Sequence, residues 1–150
     1  MIKKFRKTNG ELVDVLQHTL EVLKEHPTAQ IHIGTDSQNN KCWTKYATVI
    51  AYRYGRNGVH YIYLKQKLPK IKQRWDKLWK ETVFSIETAV WLRDQININI
   101  VIDMDYSSEK ENWSNKLVSS AKGWAESLDF KVNIKPFDQI ATKAADYECR

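Results

Sequence analysis

The side chains best suited to chemistry in this chain are acids that stand at the ends of apolar segments. Asp36 follows a short β-like segment within Gly34-Thr35-Asp36-Ser37. Glu81 lies in the first turns of a helix-patterned stretch, and Glu87 lies further along it. Asp103 closes the alternating run INIVID, and Asp105 follows it. Asp146 stands beside Ala144 and Ala145, whose small side chains permit close packing. A carboxylate at the end of an apolar strand is costly to bury alone and calls for a partner or a cation. Oxygen donors without a neighbouring Cys or His favour a hard ion such as magnesium or manganese. Two such ions about 4 Å apart activate a water and stabilise the leaving oxygen in phosphodiester cleavage. Each acid also has a plain structural reading. Asp36 can cap a turn, Glu81 can pair with Lys77, and Asp146 can pair with Lys143.

The elements that must position these acids follow from periodicity and punctuation. Thr8-Asn9-Gly10-Glu11 resembles a capping box for a helix over Glu11 to His26, with Leu12, Leu16, Leu20 and Leu23 as its apolar stripe and Pro27 as its stop. That helix predicts either packing on its own sheet or a homodimer face. A first strand is read at Ile31 and Ile33, and a second from Trp43 to Tyr54. A hairpin turn follows at Gly55-Arg56-Asn57-Gly58, with a returning strand over Val59 to Leu64. Arg74 to Arg93 turns helical, with Leu78, Val83, Ile86, Val90 and Trp91 facing inward. Ile98, Ile100 and Ile102 share one face of a fourth strand. A helix over Glu111 to Leu128, a strand over Phe130 to Ile134 and a last helix from Asp138 complete the order. A hairpin-spaced first half and an alternating second half predict an α/β fold with a mixed five-stranded sheet flanked by helices. We expect one domain over 1–150, with 1–28 as an N-terminal helical extension.

Composition narrows the class. The chain has 150 residues, 42% hydrophobic and 28% charged, with five Gly and three Pro, which excludes collagen-like and largely disordered readings. No stretch approaches the roughly 20 apolar residues of a membrane helix, and no secretory signal follows the basic start MIKKFRKTNG. Cys42 and Cys149 form no CxxC pair, so neither a zinc knuckle nor a disulfide framework is supported. An intracellular, cytoplasmic protein is the expectation. No Ser-His-Asp triad or phosphate-cradling glycine loop can be assembled.

The net charge is +6, and the window from Lys65 to Lys80 carries all of it: Lys65, Lys67, Lys70, Lys72, Arg74, Lys77 and Lys80 against Asp76 alone. Trp75 and Trp79 lie in the same window, four residues apart and so on one helix face. Clustered cations with rings nearby suit a polyanion with stackable bases. A solvated loop with both tryptophans in the core is the alternative. His32 falls on the strand face of Asp36, where it either approaches the site or is a packed sheet residue. Ser37 and Asn115 can orient a phosphate or cap turns.

The ordered series Ile33-Gly34-Thr35-Asp36-Ser37-Gln38, Tyr54-Gly55-Arg56, Lys80-Glu81-Thr82, Ile102-Asp103, Ser114-Asn115, Lys135-Pro136 and Ala144-Ala145-Asp146 resembles the YkuK-like family of ribonuclease H-like proteins over roughly residues 30 to 150. The resemblance implies a ribonuclease H-like fold with an extra N-terminal helix. It further implies metal-binding catalytic acids at Asp36, Glu81, Asp103 and Asp146, with Asp105 and Glu87 in reserve. Asp36 would bridge two Mg2+ or Mn2+ ions, Asp103 and Glu81 holding one and Asp146 the other. The mobile His that better-known ribonucleases H carry before the last helix has no counterpart in Phe137 to Lys143, where Lys143 is a weak substitute.

The expectation is therefore a metal-dependent endonuclease acting on DNA or structured nucleic acid. Lys65, Lys67, Lys70, Lys72, Arg74, Lys77 and Trp75 would hold the substrate. The rivals are a catalytically silent nucleic-acid-binding module and a protein-interaction scaffold.

Overall fold

The computed structural model of the chain describes residues 4–56, 58–107, 115–135 and 139–150. In chain order the elements are α1 (Val15–Glu25), β1 (Gln30–Asn39), β2 (Trp43–Tyr54), β3 (Gly58–Pro69), α2 (Arg74–Gln95), β4 (Ile100–Ser107), α3 (Asn115–Ser127), β5 (Lys131–Lys135) and α4 (Ile140–Glu148). The sheet order is β3-β2-β1-β4-β5. The first three strands pair antiparallel, while β4 runs parallel to β1 and β5 parallel to β4. The hairpin half and the crossover half thus join at β1 and β4, as the element order predicts.

Several boundaries differ from the sequence reading. Asp36 lies inside β1, because pairing with β2 carries the strand on to Asn39. β3 likewise runs beyond Leu64, taking Lys65 and Lys67 into the sheet. The helix expected from Glu11 starts at Val15, capped by the Asp14 carboxylate, which accepts from Gln17 N at 3.0 Å. The Thr8–Glu11 segment is a tight turn instead. Gly10 takes φ +89°, and Lys7 N donates to Glu11 O while Gly10 N donates to Lys7 O. Asn-Gly chemistry wins over the capping box there. The turn returns Arg6 to bridge Tyr63, so the N-terminal residues extend the edge beside β3.

The two faces of the sheet are built differently. On one, Ile31, Ile33, Ile50, Tyr52, Ile62, Ile100 and Ile102 meet Val15 of α1, Ile86 and Leu92 of α2, and Ala121 and Ala125 of α3. The leucine stripe expected around α1 is only partly in phase with this contact, Leu23 packing at its edge. Leu12 and Leu20 are half exposed, and Val15 and Thr19 are the buried positions. The buried face of α2 is also more polar than expected, with Glu81, Thr82, Ser85 and Thr88 beside Ile86, while Val83 is only half-buried. On the other face, Ala47, Val49 and Ala51 meet Ala141, Ala145 and Cys149 of α4. Small residues on both sides let α4 lie close. At Gly34 a Cβ would come within 2.9 Å of Thr142 Cγ2 and 3.0 Å of the Thr142 backbone nitrogen, so only glycine permits this approach. No described helix is long and apolar enough to cross a membrane.

Candidate active site

Register brings the acids together. Gly34 of β1 pairs with Asp103 of β4 as the last pair of that parallel ladder, and two residues further along β4 the charge of Asp105 acts on Asp36. Asp36 also pairs with Ala47, and Ala47 with Lys65. One row across the α4 face therefore reads Lys65, Ala47, Asp36, and Asp105 of β4 is near enough for its charge to act on Asp36. α4 rests on Gly34 and delivers Asp146 to Asp36 from above. Oxygens of these two carboxylates and Cys149 Sγ all lie within 4.8 Å of one another. Glu81 arrives from α2, and its carboxylate accepts from Ser37 Oγ, the residue next to Asp36.

The electrostatics are those of a crowded anionic site. Burial first, and then the charges of Asp146 and Asp105, raise the Asp36 carboxyl to about 6 against the Ser37 backbone N–H, which donates to Asp36 Oδ1 at 2.8 Å. Glu81 is raised well above the ordinary range, first by burial and then by Asp36 and Asp105, with the Ser37 hydroxyl and Lys77 opposing. Cys149 is pushed up to about 12 by burial and then by Asp36, Asp146 and Glu81. It stands at the site as a neutral thiol. Asp36, Glu81, Asp105 and Asp146 are thus oxygen donors whose mutual repulsion a cation would relieve. Their chemistry fits a hard divalent ion.

Asp103 does not join this group. Its Oδ1 accepts from Asn133 Nδ2 at 3.1 Å and lies 3.0 Å from His32 Nδ1, and its Oδ2 accepts from Ala141 N at 2.8 Å. The side chain is fully enclosed and serves the first turn of α4, where a carboxylate satisfies an otherwise orphan N–H. Of the two acids on β4, it is Asp105 whose charge acts on Asp36. The sequence held the signal: Asp103 and Asp105 share a strand face, and only the register decides which meets Asp36. His32 is accordingly the packed sheet residue, engaged with Asp103. Glu87 is exposed on α2 and does not approach the site.

Asp146 pairs with Arg150 at 2.8 Å rather than with Lys143, which is exposed. The Asn115 side chain and residues 136–138, which include Phe137, lie outside the described residues. Glu148, unremarked in the sequence, is largely buried at the end of α4. It accepts from Tyr61 Oη at 2.7 Å and lies 3.8 Å from Lys65 Nζ.

The basic window starts in the row of Asp36. Lys65 and Lys67 alternate with half-buried positions at the end of β3, and Lys70, Lys72 and Arg74 are exposed as the chain turns into α2. The turn is held by Lys70 N donating to Cys42 O in the β1–β2 connection (3.2 Å) and by Ile71 N donating to Thr44 Oγ1 at the start of β2 (2.9 Å). The two tryptophans part company. Trp79 stacks on Trp124 at 5.6 Å against the core, while Trp75 is 38% exposed beside the cations.

No curated protein matches the chain. A family model described as Ribonuclease H-like matches residues 14–150, which takes in every strand of the sheet and all four acids. With the sheet order, the parallel β1–β4 pair and the cluster at its end, the chain belongs to the ribonuclease H-like family.

Proposed function

We propose that this protein is a metal-dependent endonuclease of the YkuK-like kind, hydrolysing phosphodiester bonds of DNA or structured nucleic acid, with Asp36, Glu81, Asp105 and Asp146 as its metal ligands. The observation that carries the reading is the row in which an exposed lysine, a small residue and Asp36 follow one another across the sheet, with the charges of Asp146 and Asp105 acting on Asp36. Strands lie about 4.8 Å apart, so Lys65 starts roughly 10 Å from Asp36, within reach of neighbouring phosphates on one strand. The chemistry that two Mg2+ or Mn2+ ions supply when bound is activation of a water and stabilisation of the leaving oxygen.

The chain's own residues do the rest. Asp36, on which Asp146 and Asp105 both act, would be the ligand common to the ions, and Glu81, Asp105 and Asp146 would be the others. Ser37 fixes Glu81 through its hydroxyl and Asp36 through its backbone N–H. Lys65, Lys67, Lys70, Lys72, Arg74 and Lys77 bind the phosphate backbone, and Trp75 offers a ring on which a base can stack.

The test incubates wild type and Asp36→Asn with labelled duplex DNA, branched DNA, single strands, RNA and an RNA–DNA hybrid, each with magnesium, manganese or chelator. Metal-dependent cutting by the wild type alone is expected. Equal cutting by the variant would overturn the reading, and binding without any cutting would make the basic strip the function.

A further inference from the structure

Three of the chain's four histidines line one cavity remote from the carboxylates. His18, His26 and His60, with Glu21, Glu25 and Lys7, border a space of about 280 Å3 between α1 and the start of β3. His60 is five residues before Lys65 on β3, hence on the opposite sheet face and roughly 17 Å along the strand. His18 and His60 present their Nε2 atoms to each other at 2.7 Å. Their rings are held by Tyr52, edge-on to His18 at 5.6 Å and stacked with His60 at 5.9 Å, and Tyr52 is itself buried and tied to Thr19 Oγ1 at 2.7 Å.

We propose that His18 and His60 bind a first-row dication of the zinc class through their Nε2 atoms, with Glu21 as a third ligand, and that the ion fastens α1 to β3. Imidazole nitrogen selects such metals over magnesium. Two nitrogens on a tetrahedral ion at about 2.05 Å are roughly 3.3 Å apart, so the pair has to open by about 0.6 Å and each ring has to turn its Nε2 lone pair toward the ion. Both rings are held toward the neutral, ligating form. Burial is the first cause, with the Lys7 charge acting on both and the nearness of His60 acting on His18. Without the ion, the 2.7 Å contact needs one Nε2–H and one bare Nε2. Capture moves the Nε2 proton of that ring to its Nδ1, with no net proton change.

Glu21 follows His18 by three positions on α1, on the same helix face, and its charge already acts on His18. It is exposed and free to swing from its contact with Gln17 Nε2 at 3.3 Å. Lys7 opposes a cation here. It is paired with Glu11 at 3.8 Å, and Glu21 and Glu25 outnumber it at the cavity.

The test uses the full chain carrying Asp36→Asn, stripped with chelator, so that the acid cluster is impaired and the outcome is separate from nuclease activity. Titration with Zn2+ by calorimetry is expected to show one ion that raises the melting temperature by several degrees. Adding His60→Gln should weaken its affinity by about tenfold or more. In the wild type, Zn2+ should shift the imidazole Nε2 resonances of His18 and His60 and leave those of His32 in place. Equal Zn2+ affinity with and without His60→Gln, or unmoved His18 and His60 resonances, would overturn the proposal.

Discussion

Replacing Asp36 by Asn should make the metal-free protein more stable, and the gain should depend on pH in a defined way. The Asp36 carboxyl is raised from 3.8 to about 6, by burial first and then by Asp146 and Asp105. The folded state therefore holds this proton more tightly than the unfolded chain does. The resulting penalty is fully present above about pH 6 and is lifted as pH falls from 6 towards 3.8. Its size at pH 7 is about 3 kcal/mol, and at pH 4.5 about 1 kcal/mol. Asparagine has the same shape and keeps an acceptor for Ser37 N, so it removes the charge while preserving the bond. At about 2–4 °C per kcal/mol for a chain of this size, up to ~10 °C of added melting temperature is expected at pH 7. Urea unfolding in chelator at pH 7 and pH 4.5 reads both numbers. A variant no more stable than wild type at pH 7, or a gain that does not shrink at pH 4.5, would refute the reasoning.

Other perturbations separate the remaining roles. Asp105→Asn should abolish metal-dependent cutting with the fold intact by circular dichroism. Asp103→Ala should cost about 3–5 kcal/mol in urea unfolding, because it strands His32, Asn133 and the Ala141 N–H in the interior. Neutralising Lys70, Lys72 and Arg74 together should weaken nucleic-acid binding, measured by fluorescence anisotropy. The plot of log affinity against log salt should flatten by about 0.9 for each phosphate that is no longer neutralised. Gly34→Ala should destabilise by about 1–3 kcal/mol and impair cutting as well, because the new methyl meets the α4 backbone and lifts Asp146 away; thermal melts and the cleavage assay report the two effects.

The order of elements was readable because its punctuation is strong. Pro27, the Gly55–Gly58 turn, the isoleucine alternation before Asp103 and the small-residue pair before Asp146 each mark a boundary or a face. Asp36 reads in sequence as following the first strand, whereas β1 runs on past it to Asn39. What sequence could not show is register. Asp103 and Asp105 have the same period and the same face, and the two-residue difference between them is decided by how β4 slides against β1. Helix phase failed for a related reason. Around α1, Leu12 and the three leucines of the helix outweigh Val15 and Thr19 on paper, but the surface under the helix presents the Tyr52 hydroxyl, which bonds to Thr19. The buried polar residues of α2 are hidden in the same way, since Ser85 bonds to Thr35 and Thr82 to Tyr106 only once the strands are assembled. Glu148 gains its role solely from tertiary neighbours, Tyr61 and Lys65.

Cation binding tests the central claim without needing the substrate. Mn2+ titrated into chelator-stripped protein and followed by electron paramagnetic resonance should be bound tightly by the wild type. Asp36→Asn and Asp105→Asn should each lower the affinity by about tenfold or more. Wild-type binding should also weaken as pH falls below about 6 and Asp36 takes up its proton. Mn2+ bound equally well by the wild type and by Asp36→Asn would contradict the account.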